Sequence, residues 1–146
     1  MAYAVLDIDH FKHINDNHGH AIGDAILKTI ADILKSVSRQ QDIVVRYGGD
    51  EFIVLIKGMN HQQSLERANK IQQQVHDANP HELNVTCSIG LACCDKKQAP
   101  ALVSLLDDPN LEHHPMLDFA TLFEAADQAL YQAKEGGRNK VCIHIF

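Results

Sequence analysis

Hydrophobic positions along the chain fall into two kinds of pattern, short apolar runs and stripes spaced by three and four. Met1 to Leu6 opens as a short apolar strand. His10 to Asn17 reads as a short helix closed by Gly19, and Gly23-Asp24 opens a longer one. Its apolar positions Ile26, Leu27, Ile30, Ile33, Leu34 and Val37 lie on one face of a 3.6-residue repeat. Ile43-Val44-Val45 and Phe52 to Ile56 flank a Gly48-Gly49 pair, the signature of a hairpin whose glycines accept the positive φ of a tight turn. Gln62 to Ala78 is helical through Leu65, Ala68, Ile71 and Val75, and Asn79-Pro80 ends it. Leu83, Val85, Cys87, Ile89 and Leu91 alternate with smaller or polar residues, which predicts a strand. The last helix runs from Phe119 to Glu135 and stops at Gly136-Gly137, and Lys140 to Ile145 closes the chain as a strand. Asp95 to Asp118 holds three prolines and polar clusters. It reads as a surface insertion with a short helix around residues 102–106.

Strands and helices alternate without the glycine fingerprint of a dinucleotide-binding fold. The pattern predicts an α/β (α+β) domain with a central, mostly antiparallel sheet and helices on both faces. At 146 residues the chain is long enough for one domain with a proper core and too short for two domains. A net charge of −6 argues against a nucleic-acid partner, while leaving room for a nucleotide neutralised by a metal ion and a few placed cations. The four cysteines form no C-x-x-C pair, which fits reduced thiols. Ten histidines do not fall at zinc-ligand spacing, so solvated or packed roles are favoured over zinc. No secretory leader and no apolar run of membrane-spanning length occur, and the expected location is cytoplasmic.

The candidate chemistry lies in two acidic pairs. Asp50 and Glu51 stand side by side at the hairpin, where a turn needs no carboxylate pair; such like charges raise each other's pKa unless a cation sits between them. Asp7-Ile8-Asp9 ends the first strand, the place where open sheets put their ligand sites. If Asp7 and Asp50 meet at adjacent strand ends, they make an oxygen-rich site suited to Mg²⁺ or Mn²⁺. The competing reading is local: Asp9 caps the next helix and Asp50 serves the turn.

Arg46-Tyr47-Gly48-Gly49-Asp50-Glu51-Phe52 resembles the signature of the GGDEF family, the diguanylate cyclases. Asp7-Ile8-Asp9-His10-Phe11-Lys12, Asn15-Asp16, Gly19-His20, Gly23-Asp24, Ala129 to Lys134 and Gly137-Arg138-Asn139 follow in the family's order, so the resemblance spans nearly the whole chain. It implies a palm-like fold shared with nucleotide cyclases and polymerases, and condensation of two GTP into cyclic di-GMP with release of pyrophosphate. The family usually carries a further helix ahead of the first strand, with an Asp-x-Leu-Thr-x-Leu-x-Asn-Arg-Arg pattern. Nothing here matches it, and residues 1–146 are expected to be a single GGDEF domain without that helix or a fused regulatory domain.

The resemblance also implies roles. Asp7, the Ile8 carbonyl and Asp50 would hold Mg²⁺ or Mn²⁺, with Glu51 either a further ligand or the base for the attacking hydroxyl. Asn15 and Asp24 would read guanine, although Asp24 also suits a first-turn acid favoured by the helix dipole. Lys12, Lys134 and Arg138 would neutralise the triphosphate; for Lys134 the plainer role is a C-terminal dipole partner. Arg39 and Asp42 fall where the family places its product-inhibition motif, on what should be one exposed turn. As charge alone they are an ordinary solvated pair. Catalysis would require a homodimer, since each domain presents one GTP. The alternative function is a weakly catalytic domain that serves as a GTP or cyclic di-GMP receptor.

Overall fold

The computed structural model describes residues 1–94 and 119–146. Its elements are β1 (Ala2–Ile8), α1 (Phe11–His18), α2 (His20–Val37), β2 (Ile43–Arg46), β3 (Glu51–Ile56), α3 (His61–Ala78), a 3-10 turn (Pro80–Glu82), β4 (Cys87–Cys93), α4 (Phe119–Glu135) and β5 (Val141–Ile145). The expected insertion at 95–118 lies outside the described residues.

Five strands pair in the order β2-β3-β1-β4-β5. The pairs β2/β3, β3/β1 and β1/β4 are antiparallel and β4/β5 is parallel, so the sheet is mixed and mostly antiparallel as predicted. Side-chain alternation divides β1 between two cores. Ala4, Leu6 and Ile8 pack with Ile26, Ile30 and Leu34 of α2 and with Ile71 and Val75 of α3. Val5 faces the other way, with Leu55, Ala92 and the α4 residues Leu122, Ala126 and Leu130. Each fully buried aliphatic side chain contributes about 1.5–3 kcal/mol of transfer free energy.

Helix α4 lies directly on the backbone of β4. A Cβ on Gly90 would stand 2.0 Å from the Ala126 carbonyl oxygen and 2.3 Å from the Leu130 nitrogen. That contact sets the height of α4 over the sheet, and with it the position of Lys134 at the helix end.

Three local expectations change. Helix α2 begins at His20, so Gly23 lies inside it; its missing Cβ leaves the space that Asn15 Oδ1 fills, 1.9 Å from where that atom would be. The alternation from Leu83 to Leu91 is not one strand. Pairing starts at Cys87, because Glu82 and Asn84 take left-handed φ angles of 58° and 53° that break the extended backbone. The hairpin glycines are not needed for positive φ either. Among the described residues Gly19, Gly58 and Gly137 occupy that region, and Gly48 and Gly49 do not.

Candidate active site

The end of β1, the starts of β3 and β4 and the α4–β5 turn meet at one edge of the sheet. Asp7 stands directly opposite Glu51 in the β1/β3 register, and the Ile8 N–H donates to the Asp50 carbonyl at 3.1 Å. The pairing therefore delivers Asp7, Asp50 and Glu51 to one place, although more than forty positions separate them in sequence. Asp7 has the parity of Val5, so it points toward α4. There the Lys134 ammonium donates to Asp7 Oδ2.

Asp7 is 7% exposed, and its other oxygen, Oδ1, is buried without a hydrogen-bond partner. Burial pushes this carboxyl up to about 6; the Lys134 contact opposes the rise and the charge of Asp50 adds to it. Burial works against the Lys134 charge, but the Asp7 hydrogen bond and the charges of Asp7, Glu51 and Asp50 outweigh it and hold its pKa above the ordinary lysine value. Lys134 thus serves as the counter-ion of all three carboxylates. Among the described residues no three His, Cys, Asp or Glu side chains close around a common point. An all-oxygen set with an unpartnered carboxylate oxygen fits a hard divalent cation that keeps part of its shell for water and phosphate.

Asp9 does not cap α1. The N-cap residue is His10, at φ 56° and without a side-chain cap. Asp9 is 5% exposed and accepts from Ser88 Oγ at 2.6 Å, Thr86 Oγ1 at 2.7 Å and the Asn139 N–H at 3.0 Å. The glycine stop after α4 forms as predicted: Gly137 N–H donates to Lys134 O and Arg138 N–H to Ala133 O, the paired bonds of a Schellman motif. Arg138 and Lys12 are exposed beside this edge, on the α4–β5 turn and the first turn of α1.

Asn15 and Asp24 sit together because α1 packs on α2 through Gly23. Asn15 Oδ1 is buried there without a partner, and Asp24 is exposed one residue further on. Asp24 lines a groove of about 480 Å³ with Leu27, Lys28, Arg46 and Phe52. Arg46 belongs to the signature heptad yet has no role assigned from sequence. Its guanidinium clasps the hairpin turn, donating to Gly48 O at 3.1 Å and Gly49 O at 3.0 Å. Tyr47 of the same turn rests on Phe123 of α4, ring centroids 5.6 Å apart.

At the other end of the hairpin, Arg39 and Asp42 are unlike each other. Arg39 is exposed and lines a cavity of about 390 Å³ with Gln40 and Gln41. The Asp42 side chain is 0% exposed. Its oxygens accept from Arg39 N at 2.9 Å, Lys57 N at 3.2 Å and Arg67 Nη1 at 2.7 Å. The expectation of an Arg and an Asp side by side on one exposed turn is corrected accordingly: Asp42 is a buried brace. Arg67 escaped sequence reading because nothing in the α3 pattern distinguishes it from a solvated charge.

A family model, Diguanylate cyclase, GGDEF domain, matches residues 1–111. The chain belongs to the GGDEF family. Relatives of this GGDEF domain include Diguanylate cyclase A of Treponema denticola, 34% identical over 98% of this chain and 35% of that protein. DgcS of Shewanella oneidensis is 37% identical over 95% of this chain and 40% of its own length. The domain therefore spans little more than a third of the length of these curated relatives. The active GGEEF domain of a diguanylate cyclase from Vibrio cholerae matches with a TM-score of 0.78 at 30% identity, covering 97% of this chain and 81% of that one. The GGDEF domain of DgcB from Caulobacter crescentus, solved in complex with c-di-GMP, gives 0.76 at 30% identity, over 97% and 76% of the two chains.

Proposed function

We propose that this GGDEF domain is a diguanylate cyclase, joining two GTP into cyclic di-GMP and two pyrophosphates. The observation that carries the reading is Asp7 beside Asp50 and opposite Glu51, with one buried carboxylate oxygen left for a ligand. Asp7, Asp50 and the Ile8 carbonyl would hold Mg²⁺ or Mn²⁺, and Glu51 either completes that shell or takes the proton of the attacking hydroxyl. A divalent cation, when bound, lowers the pKa of the 3′-hydroxyl and offsets charge developing on the α-phosphate.

The chain's own residues supply the rest. The Asp24 carboxylate accepts from guanine N1–H and N2–H, and the Asn15 amide pairs with O6 or N3. Lys12 and Arg138 bind the triphosphate, and Lys134 joins them as cations offset its three carboxylates. The 3′-oxygen of each nucleotide bonds to the α-phosphorus of the other while the α–β bridge breaks, so pyrophosphate leaves with the electron pair. Two domains must face each other for both attacks, and GTP as substrate puts the working domain on the cytoplasmic side. No helix among the described residues is long and apolar enough to cross a membrane. Cyclic di-GMP feeds back at Arg39, whose guanidinium suits the O6/N7 edge of guanine, while Asp42 and Arg67 hold the turn in shape.

Incubation with GTP and Mg²⁺ followed by chromatography should give cyclic di-GMP. Turnover per domain should rise with protein concentration, because the competent species is a pair. Intact GTP at every concentration defeats the cyclase reading, and a rate per domain that stays constant while sizing shows monomer defeats the paired arrangement.

A further inference from the structure

Three consecutive residues after α4 hold left-handed backbone: Gly137 at φ 106°, Arg138 at 65° and Asn139 at 49°. For Arg and Asn this region costs energy and persists only where surrounding contacts impose it. The contacts are on hand. Arg138 N–H is taken by Ala133 O, the Asn139 side chain by Gln72 of α3, and Asn139 N–H by Asp9 Oδ2. Asp9 is itself locked by the hydroxyls of Ser88 and Thr86 on and beside β4. A buried carboxylate holding three donors on two oxygens is oriented to within a single rotamer.

We infer that Asp9 is the positioning residue of the triphosphate clamp: it pins the 137–139 turn to the end of β1, and so holds Arg138 beside the sheet edge where Lys134 meets the Asp7 carboxylate. The inference rests on the nucleotide reading of the site above and assigns Asp9 no contact with substrate or metal. Asp7 and Asp9 follow one another on the same strand end but have opposite tasks. Asp7 retains an unpartnered oxygen, whereas both Asp9 oxygens are taken.

Asp9→Ala removes the anchor. Asp9→Asn should largely restore it, because the amide oxygen can take the Oδ2 position while the NH₂ faces Ser88 Oγ, a hydroxyl able to turn and accept. Thr86→Val keeps the carboxylate and removes one of its restraints. The test is calorimetry of a GTP analogue with a methylene α–β bridge, at graded Mg²⁺, with amide hydrogen exchange followed at Asn139. Asp9→Ala should bind the analogue about tenfold more weakly, with faster Asn139 exchange. Asp9→Asn should stay within about threefold of wild type, Thr86→Val should fall between them, and the Mg²⁺ requirement should not move.

Wild-type affinity in Asp9→Ala overturns the inference. So does an Asp9→Asn protein that needs much more Mg²⁺, which would make Asp9 a metal ligand. If Asp9→Ala does not fold, Thr86→Val and Asp9→Asn decide by the same measurements. A wild-type domain that binds the analogue but makes no cyclic dinucleotide removes the cyclase reading and leaves this comparison intact.

Discussion

The β2–β3 hairpin carries acid at both ends, and the two ends treat it differently. At the turn, Asp50 and Glu51 share one ammonium with Asp7, and a buried Asp7 oxygen has no partner. At the open end, Asp42 has no exposed side-chain surface and accepts from a guanidinium and two backbone N–H groups. Both ends contain a carboxylate beside a cation. Spare acceptor capacity separates them: oxygens with room left over suit a ligand, and oxygens already filled suit the fold.

That contrast predicts opposite kinds of damage. Asp50→Asn should remove a thousandfold or more of turnover, since losing a metal-ligating carboxylate costs several kcal/mol of transition-state stabilisation at ~1.4 kcal/mol per decade. Its thermal melt should stay close to wild type. A folded Asp50→Asn protein with near-normal product formation would erase the distinction at the turn.

Arg67→Ala should do the reverse. It leaves Asp42 buried with two backbone donors and no counter-ion, a loss of about 2–3 kcal/mol of stability. A domain of this size then melts several degrees lower. Turnover per folded molecule should hold in dilute assays without product. Denaturant unfolding of the two proteins checks this, and an unchanged midpoint would show that Asp42 is not the brace its contacts describe.

Arg39→Ala should have the smallest effect on the fold and the most selective one on ligands. Hydrogen bonds from a charged donor contribute about 1.5–3 kcal/mol, so cyclic di-GMP binding should weaken roughly ten- to a hundredfold while GTP binding stays put. Equal calorimetric affinities for cyclic di-GMP in the two proteins would reduce Arg39 to a solvated surface charge.

How far these features could be read from the chain depends on the range of the contact behind them. The helices of the two cores, the sheet class and the glycine stop at Gly136-Gly137 follow from local periodicity and were legible. So was the meeting of Asp7 with Asp50, because one acidic motif closes an apolar run and the other opens one. The alternation through Leu83 and Val85 misled because it reports burial, and an irregular segment can bury every second residue without pairing. Gly23 read as a helix start because its reason, the Asn15 side chain lying against it, belongs to a neighbouring helix. The brace on Asp42 and the anchor on Asp9 were invisible for the same cause. Their partners lie 25 residues away for Arg67 and 130 for Asn139.

Gly90 carries a consequence for how this chain can change over generations. Every other amino acid begins with a Cβ, and here that atom would strike the backbone of Ala126 and Leu130, which cannot swing aside as a side chain can. Elsewhere in the core a larger residue can be accommodated by a smaller neighbour. At this crossing no neighbour has anything to surrender. The position therefore has a vocabulary of one residue, and descendants that keep the domain working must vary around it, with strand and helix drifting together as a single inherited unit.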